Sequence, residues 1–93
     1  PVTAFPHDHS PFFDRTLTVN QNRGPYADTL LGWAGLTCVA YLPATIAPVG
    51  LAKNGLPVGI QIVGPYLEDK TSIQFAGLLE ETMGGFEAPP GFK

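Results

Sequence analysis

Residues 52–65 read AKNGLPVGIQIVGP, a turn signal followed by a run in which apolar residues alternate with glycine, proline and glutamine. Asn54-Gly55 is the strongest two-residue hairpin signal, because both central positions of a type I′ turn require positive φ. A loop of those two residues predicts an antiparallel hairpin over about 44–63. Val49 then faces Ile60, Leu51 faces Val58 and Ala47 faces Ile62 on one side. Gly50 faces Gly59, Pro48 faces Gln61 and Ile46 faces Val63 on the other. The first set is ordinary core. The second is nearly flat, and Pro48 and Pro57 bring no N–H to a ladder. A sheet covered on one side carries polar residues on its other face. Neither face here suits water, so the hairpin is expected inside a larger layered structure.

The flanking segments supply the other elements. Over about 69–83, Phe75, Ala76, Leu79 and Met83 mark one helical face, flanked by Ile73 and Leu78. Lys70, Gln74, Gly77 and Glu81 mark the wetter side. Glu68 and Asp69 stand where acidic groups cap amides and favour the positive end of a helix dipole. Gly84-Gly85 stops this helix and Pro89-Pro90 forbids a restart. Upstream, Asp28 can cap a helix over about 29–41, with Pro25 before it and Pro43 ending it. Leu30, Leu31, Trp33, Ala34, Leu36, Cys38, Val39 and Tyr41 surround that helix on nearly all sides. A helix without a wet face must be buried, and 93 residues offer little to bury it with. Residues at about 15–19, RTLTV, alternate as a short strand running into the turn-like NQNRGP. Residues 1–11 carry three prolines and no usable period, and predict an extended loop. The expected architecture is α/β: one domain in which an antiparallel hairpin and a short strand pack with two helices.

Composition narrows the partners. Hydrophobic residues make up 44% and charged residues only 14%, so some apolar surface should be covered by something else. The net charge of −3 gives no electrostatic case for nucleic acid or an anionic membrane. A single cysteine, Cys38, excludes an internal disulfide framework and fits a reducing, cytoplasmic compartment. Every apolar run is broken by Gly or Pro, so no spanning segment is expected. The chain begins at Pro1 rather than Met, which agrees with a piece of something longer.

Few residues signal chemistry on their own. In an extended segment His7 and His9 point the same way, which suits a transition metal, but no third ligand is signposted and a polar loop is the simpler account. Ser10 beside His7, Asp8 and His9 does not make a triad, because real triads assemble from distant segments. Cys38 has no flanking base to activate it, and a buried structural cysteine is the commoner case. The glycines of GLPVG and IVGP lack the lysine and hydroxyl of a phosphate loop.

The combination LPATIAPVG, NGLPVGIQIVGP and a following acidic helix start resembles the C-terminal end of amidase-signature hydrolases. The matching positions are Pro43, Ala44, Pro48 and Gly50, then Gly55, Leu56, Pro57, Gly59 and Gln61, then Gly64 and Pro65. TAFPHDH upstream resembles the family's proline-rich segment. The family often carries Asn-Leu-x-Gly-Leu-Pro before the first strand, where this chain has Cys38 to Pro43. Cys38 in place of asparagine and Tyr41 in place of glycine point away from the transamidation-type members, toward a stand-alone amidase branch. The resemblance implies a three-layer α/β fold of which this chain is a part, and hydrolysis by a serine nucleophile, a second serine and a lysine. Only Ser10 and Ser72 are present, neither in a Gly/Ser-rich setting, so no catalytic residue is carried over. It implies no metal or organic cofactor. The expected partners are the N-terminal part of the same enzyme and a small-molecule amide, with self-association of the chain when alone. Trp33, Cys38 and Tyr41 are candidates to shape the acyl or amine pocket, and simple packing explains them equally. The alternative function is a non-catalytic interaction module that uses an apolar hairpin face.

Overall fold

The computed structural model describes residues 2–3 and 9–92. Two antiparallel sheets and two helices form a small α/β unit. Strand β1 (Val2–Thr3) falls in the segment expected to be loop; it is followed by a short 3-10 turn, Phe12–Asp14. Strands β2 (Thr16–Val19) and β3 (Asn22–Pro25) lead into helix α1 (Tyr26–Val39). Then come β4 (Ala44–Leu51), β5 (Pro57–Val63) and helix α2 (Asp69–Met83). One sheet has the order β1-β5-β4, with β5 central; β2 and β3 form the other.

The β4–β5 hairpin forms, but not with the register the Asn54-Gly55 loop implied. Gly55 takes φ 79°, whereas Asn54 stays at negative φ, so the turn is not type I′. Ala52 N–H donates to Leu56 O and Gly55 N–H to Ala52 O, each at 2.9 Å. That is a three-residue loop closed by a glycine bulge. A second bulge falls between Pro48 and Gly50, where Gly50 takes φ 132°. The observed pairs are therefore Gly50 with Val58, Pro48 with Gly59, Ala47 with Ile60 and Ile46 with Gln61. Each one-residue change alone would turn β4 over. Together they cancel, so Ala47 still shares a face with Ile60, as the alternation required.

The positive-φ pair sits elsewhere. Asn20 and Gln21, at φ 49° and 67°, link β2 to β3, with Val19 opposite Asn22. NQNRGP thus contains a turn and a strand, where a turn alone was expected. Arg23 Nε donates to Thr16 Oγ1 across this hairpin at 3.0 Å.

Helix α1 starts earlier and ends earlier than about 29–41. Asp28 lies in the first turn, favourable to the helix dipole, instead of capping it. Tyr26 anchors the start: its N–H donates to Arg15 O at 2.9 Å, and its ring meets Phe12 edge-on at 5.8 Å. The Arg15 guanidinium stands 6.0 Å from the Tyr26 ring centre, within cation–π range. At the other end, Tyr41 N–H donates to Cys38 O at 3.2 Å and Leu42 N–H to Thr37 O at 3.0 Å. These are the two bonds of a Schellman cap, whose left-handed position is held by Tyr41 at φ 53°. The helix was expected to be buried on all sides. Instead Trp33 is 67% exposed and Val39 82% exposed, because the elements that chiefly pack on α1, the 3-10 turn, β2 and β3, leave these side chains uncovered.

Helix α2 lies chiefly on β4. Its least exposed line is buried Ser72 with half-buried Ala76 and Leu79, spaced to share one face. Ala76 and Leu79 were expected there. Phe75, Met83, Ile73 and Leu78 were placed in or beside the same face, yet all are exposed, because the helix packs chiefly on β4 and nothing else among the described residues covers these side chains. Neither Glu68 nor Asp69 makes the side-chain cap that was expected. Glu68 Oε2 instead accepts from Thr71 Oγ1 at 3.1 Å. Gly84, at φ 94°, ends the helix and donates to Glu80 O at 3.0 Å. Among the described residues only Tyr26, at the start of α1, and Ala47, on β4, are buried apolar side chains. The chain alone has little core.

Candidate functional site

The C-terminal end of α1 meets β5 through one polar contact. Gln61 Nε2 donates to Thr37 Oγ1 at 3.1 Å, and Thr37 Oγ1 donates to Ala34 O at 3.2 Å. A threonine buried in a helix of apolar residues needs such partners, since an unpaired buried hydroxyl costs free energy. Gln61 alternates with Ile60 and Ile62, so it projects from the face opposite α2. The flat face is therefore touched by α1 at Gln61. Ile46, Pro48 and Val63 on that face stay exposed.

Trp33 and Cys38 lie on the helix that carries Thr37, and Tyr41 lies just beyond its end. Trp33 precedes Thr37 by four residues and shares its face of the helix. Cys38 is about 140° round the helix from Trp33. Tyr41 follows the cap. All three are exposed, Cys38 included, against the expectation of a buried thiol. Thr37 was not singled out from sequence. Its signal was present: a lone hydroxyl in an otherwise apolar stretch.

Ser72, one of the two serines, is 2% exposed. Its Oγ donates to Asp69 O at 3.0 Å and lies 2.9 Å from Thr45 Oγ1. With its proton engaged and no base beside it, it ties α2 to the sheet and cannot serve as a nucleophile. An open groove beside the β4–β5 loop is lined by Leu51, Gly55, Pro57, Glu87, Pro89 and Pro90 among others, with Glu87 the single ionisable group among its described lining residues. It lacks a nucleophile–base pair. His7, of the His7–His9 pair, lies outside the described residues. Among the described residues no group of three or more His, Cys, Asp or Glu could hold a metal ion. Among the described residues no helix is long and apolar enough to cross a membrane.

Known proteins resemble this chain over its better part. It is 40% identical over 57 residues to fatty-acid amide hydrolase 2-A of Danio rerio, covering 61% of this chain and 11% of that protein. It is 38% identical over 60 residues to fatty-acid amide hydrolase 2 of Homo sapiens, covering 64% of this chain and 11% of the relative. It is 43% identical over 56 residues to a glutamyl-tRNA(Gln) amidotransferase component from Rhodospirillum rubrum, covering 60% and 11%. No family model matches the chain. Over these residues the chain is homologous to amidase-signature enzymes, the family its Gly55–Pro65 motif resembles. The chain spans about a tenth of the length of the curated relatives it matches, 11% in each of these three. Hydrolases and amidotransferase components match at similar identity, which does not favour the stand-alone branch expected from Cys38 and Tyr41.

Proposed function

We propose that this chain is the C-terminal part of an amidase that hydrolyses a carboxamide to a carboxylate and an amine or ammonia. The observation that carries this proposal is the similarity, at 38–43% identity, to fatty-acid amide hydrolases and an amidotransferase component. The nucleophilic serine, the second serine and the lysine implied by the resemblance would be supplied by sequence upstream of Pro1. The chain's own contribution is structural: the β4–β5 hairpin as an inner piece of the sheet, with Trp33, Cys38 and Tyr41 bordering the acyl or amine pocket. Their exposure fits surfaces that another part of the enzyme covers. The setting is cytoplasmic, and no metal or organic cofactor takes part.

The purified chain should not hydrolyse amides and should not label with a serine-reactive fluorophosphonate. The longer polypeptide carrying a Gly/Ser-rich segment and lysine upstream should do both. Labelling of the purified chain would overturn its catalytic silence. A longer polypeptide that neither labels nor hydrolyses any amide would overturn the amidase assignment.

A second reading is a non-catalytic interaction module. Ile46, Leu51 and Val63 on the hairpin are exposed and apolar, which favours it. The upstream reading frame distinguishes the two.

A further inference from the structure

The β4–β5 loop holds a chemistry that the amidase proposal does not use. Asn54 and Gly55 are both exposed. The space beside Gly55 is open, with nothing within 4 Å of where a side chain would begin. Asn54 Oδ1 accepts a hydrogen bond from Leu56 N–H at 3.2 Å. That donor therefore sits on the oxygen where negative charge would develop if a nucleophile attacked Asn54 Cγ, the arrangement that stabilises a tetrahedral intermediate. The nucleophile adjacent in the chain is the backbone nitrogen of Gly55. One contact opposes attack: Gly55 N–H donates to Ala52 O at 2.9 Å, and this bond must open first. In an exposed loop that opening is local. The charged groups nearby are Lys53 in the loop and Glu87 across the groove that Gly55 helps to line.

We propose that Asn54 is a site of spontaneous deamidation in the folded chain, through a succinimide formed with Gly55. Solvent base removes the Gly55 amide proton, and the nitrogen attacks Asn54 Cγ to form a new C–N bond. The Cγ–Nδ2 bond breaks, and the side-chain nitrogen leaves as ammonia after taking a proton from water. Water then opens the ring. Attack at Cγ yields aspartate at position 54; attack at the main-chain carbonyl yields isoaspartate, with the backbone rerouted through the side-chain carbons. No atom changes oxidation state. Either product makes the formal net charge of −3 more negative by one. The isoaspartate also lengthens the main chain within the loop that sets the β4–β5 register.

The test is incubation of the folded chain at neutral and mildly alkaline pH, with the same chain in urea and an Asn54→Gln variant alongside. Peptide mapping by mass spectrometry and labelling by an isoaspartyl methyltransferase locate the product. The expected result is isoaspartate at position 54 of the folded chain, forming faster as pH rises because the Gly55 nitrogen must lose its proton. Its rate should lie within about tenfold of that in urea, a barrier difference of about 1.4 kcal/mol, and Asn54→Gln should remove the signal. A folded-state rate suppressed beyond that range, or product seen in urea alone, would overturn the proposal.

Discussion

Thr45 on β4 and Ser72 on α2, 27 positions apart in the sequence, meet hydroxyl to hydroxyl at 2.9 Å. Because Ser72 gives its own proton to Asp69 O, Thr45 is the donor in this pair. Ser72→Ala leaves the Thr45 hydroxyl without its acceptor beneath α2, and should lower stability by about 1–2 kcal/mol. Adding Thr45→Val should cost less than the sum of the two single changes, since both remove one interaction. Urea unfolding of the four proteins in the cycle checks this; strict additivity would show that the pair is not coupled.

Tyr41 occupies the left-handed position of the α1 cap at φ 53°. Glycine adopts that conformation without a Cβ clash, so Tyr41→Gly should raise stability by about 1 kcal/mol. The measurement is the thermal midpoint. A fall would mean that the exposed Tyr41 ring makes a compensating contact.

Gly64 closes β5 where three segments crowd together. A Cβ there would lie 3.3 Å from Glu68 O and 3.5 Å from both Pro43 Cγ and Ser72 Cβ. Gly64→Ala should destabilise the chain by about 1 kcal/mol or more, through overpacking against main chain that cannot rotate away. Gly77 on α2 is the contrast, because nothing lies within 4 Å of its Cβ position. Gly77→Ala should stabilise by up to about 1 kcal/mol through helix propensity. Paired denaturation curves read both signs.

Leu31, Trp33, Leu36 and Val39 leave α1 with an exposed apolar surface. The chain alone should self-associate, and light scattering should show a mass that rises with concentration. Trp33→Glu with Val39→Lys should shift it toward monomer. A monomer at all concentrations would count against this surface being normally covered.

In the longer amidase proposed above, Cys38→Ala and Trp33→Ala should each change kcat/KM several-fold for some amides and not for others, the signature of a pocket contact. Unchanged ratios across the amide panel would remove these residues from the pocket and leave them as packing.

The hairpin and α2 were legible because their signals are local. Alternation, a turn dipeptide and terminal glycines act within a few residues of where they are read. β3 was not legible: Arg23, Gly24 and Pro25 look like turn residues, and become a strand only because Thr16, Leu17 and Thr18 pair with them. Val2–Thr3 is a strand for a similar reason, since Gly59 and Val58 of β5 supply its partners. The candidate site was less visible still. Trp33, Cys38 and Tyr41 were chosen by type and position, whereas the contact found at that junction runs from Thr37 to Gln61, 24 residues on.

Sequence alone determined that residues 44–63 turn back on themselves, that a helix follows, and that the segment resembles amidase-signature enzymes. Periodicity, turn chemistry and motif spacing are properties of neighbouring residues. Tertiary structure decided the loop at Asn54-Gly55, the bulge before Gly50 and the face of α2 that reaches the sheet. Each of these balances backbone hydrogen bonds against packing between distant segments, and a linear pattern carries only one side of that balance.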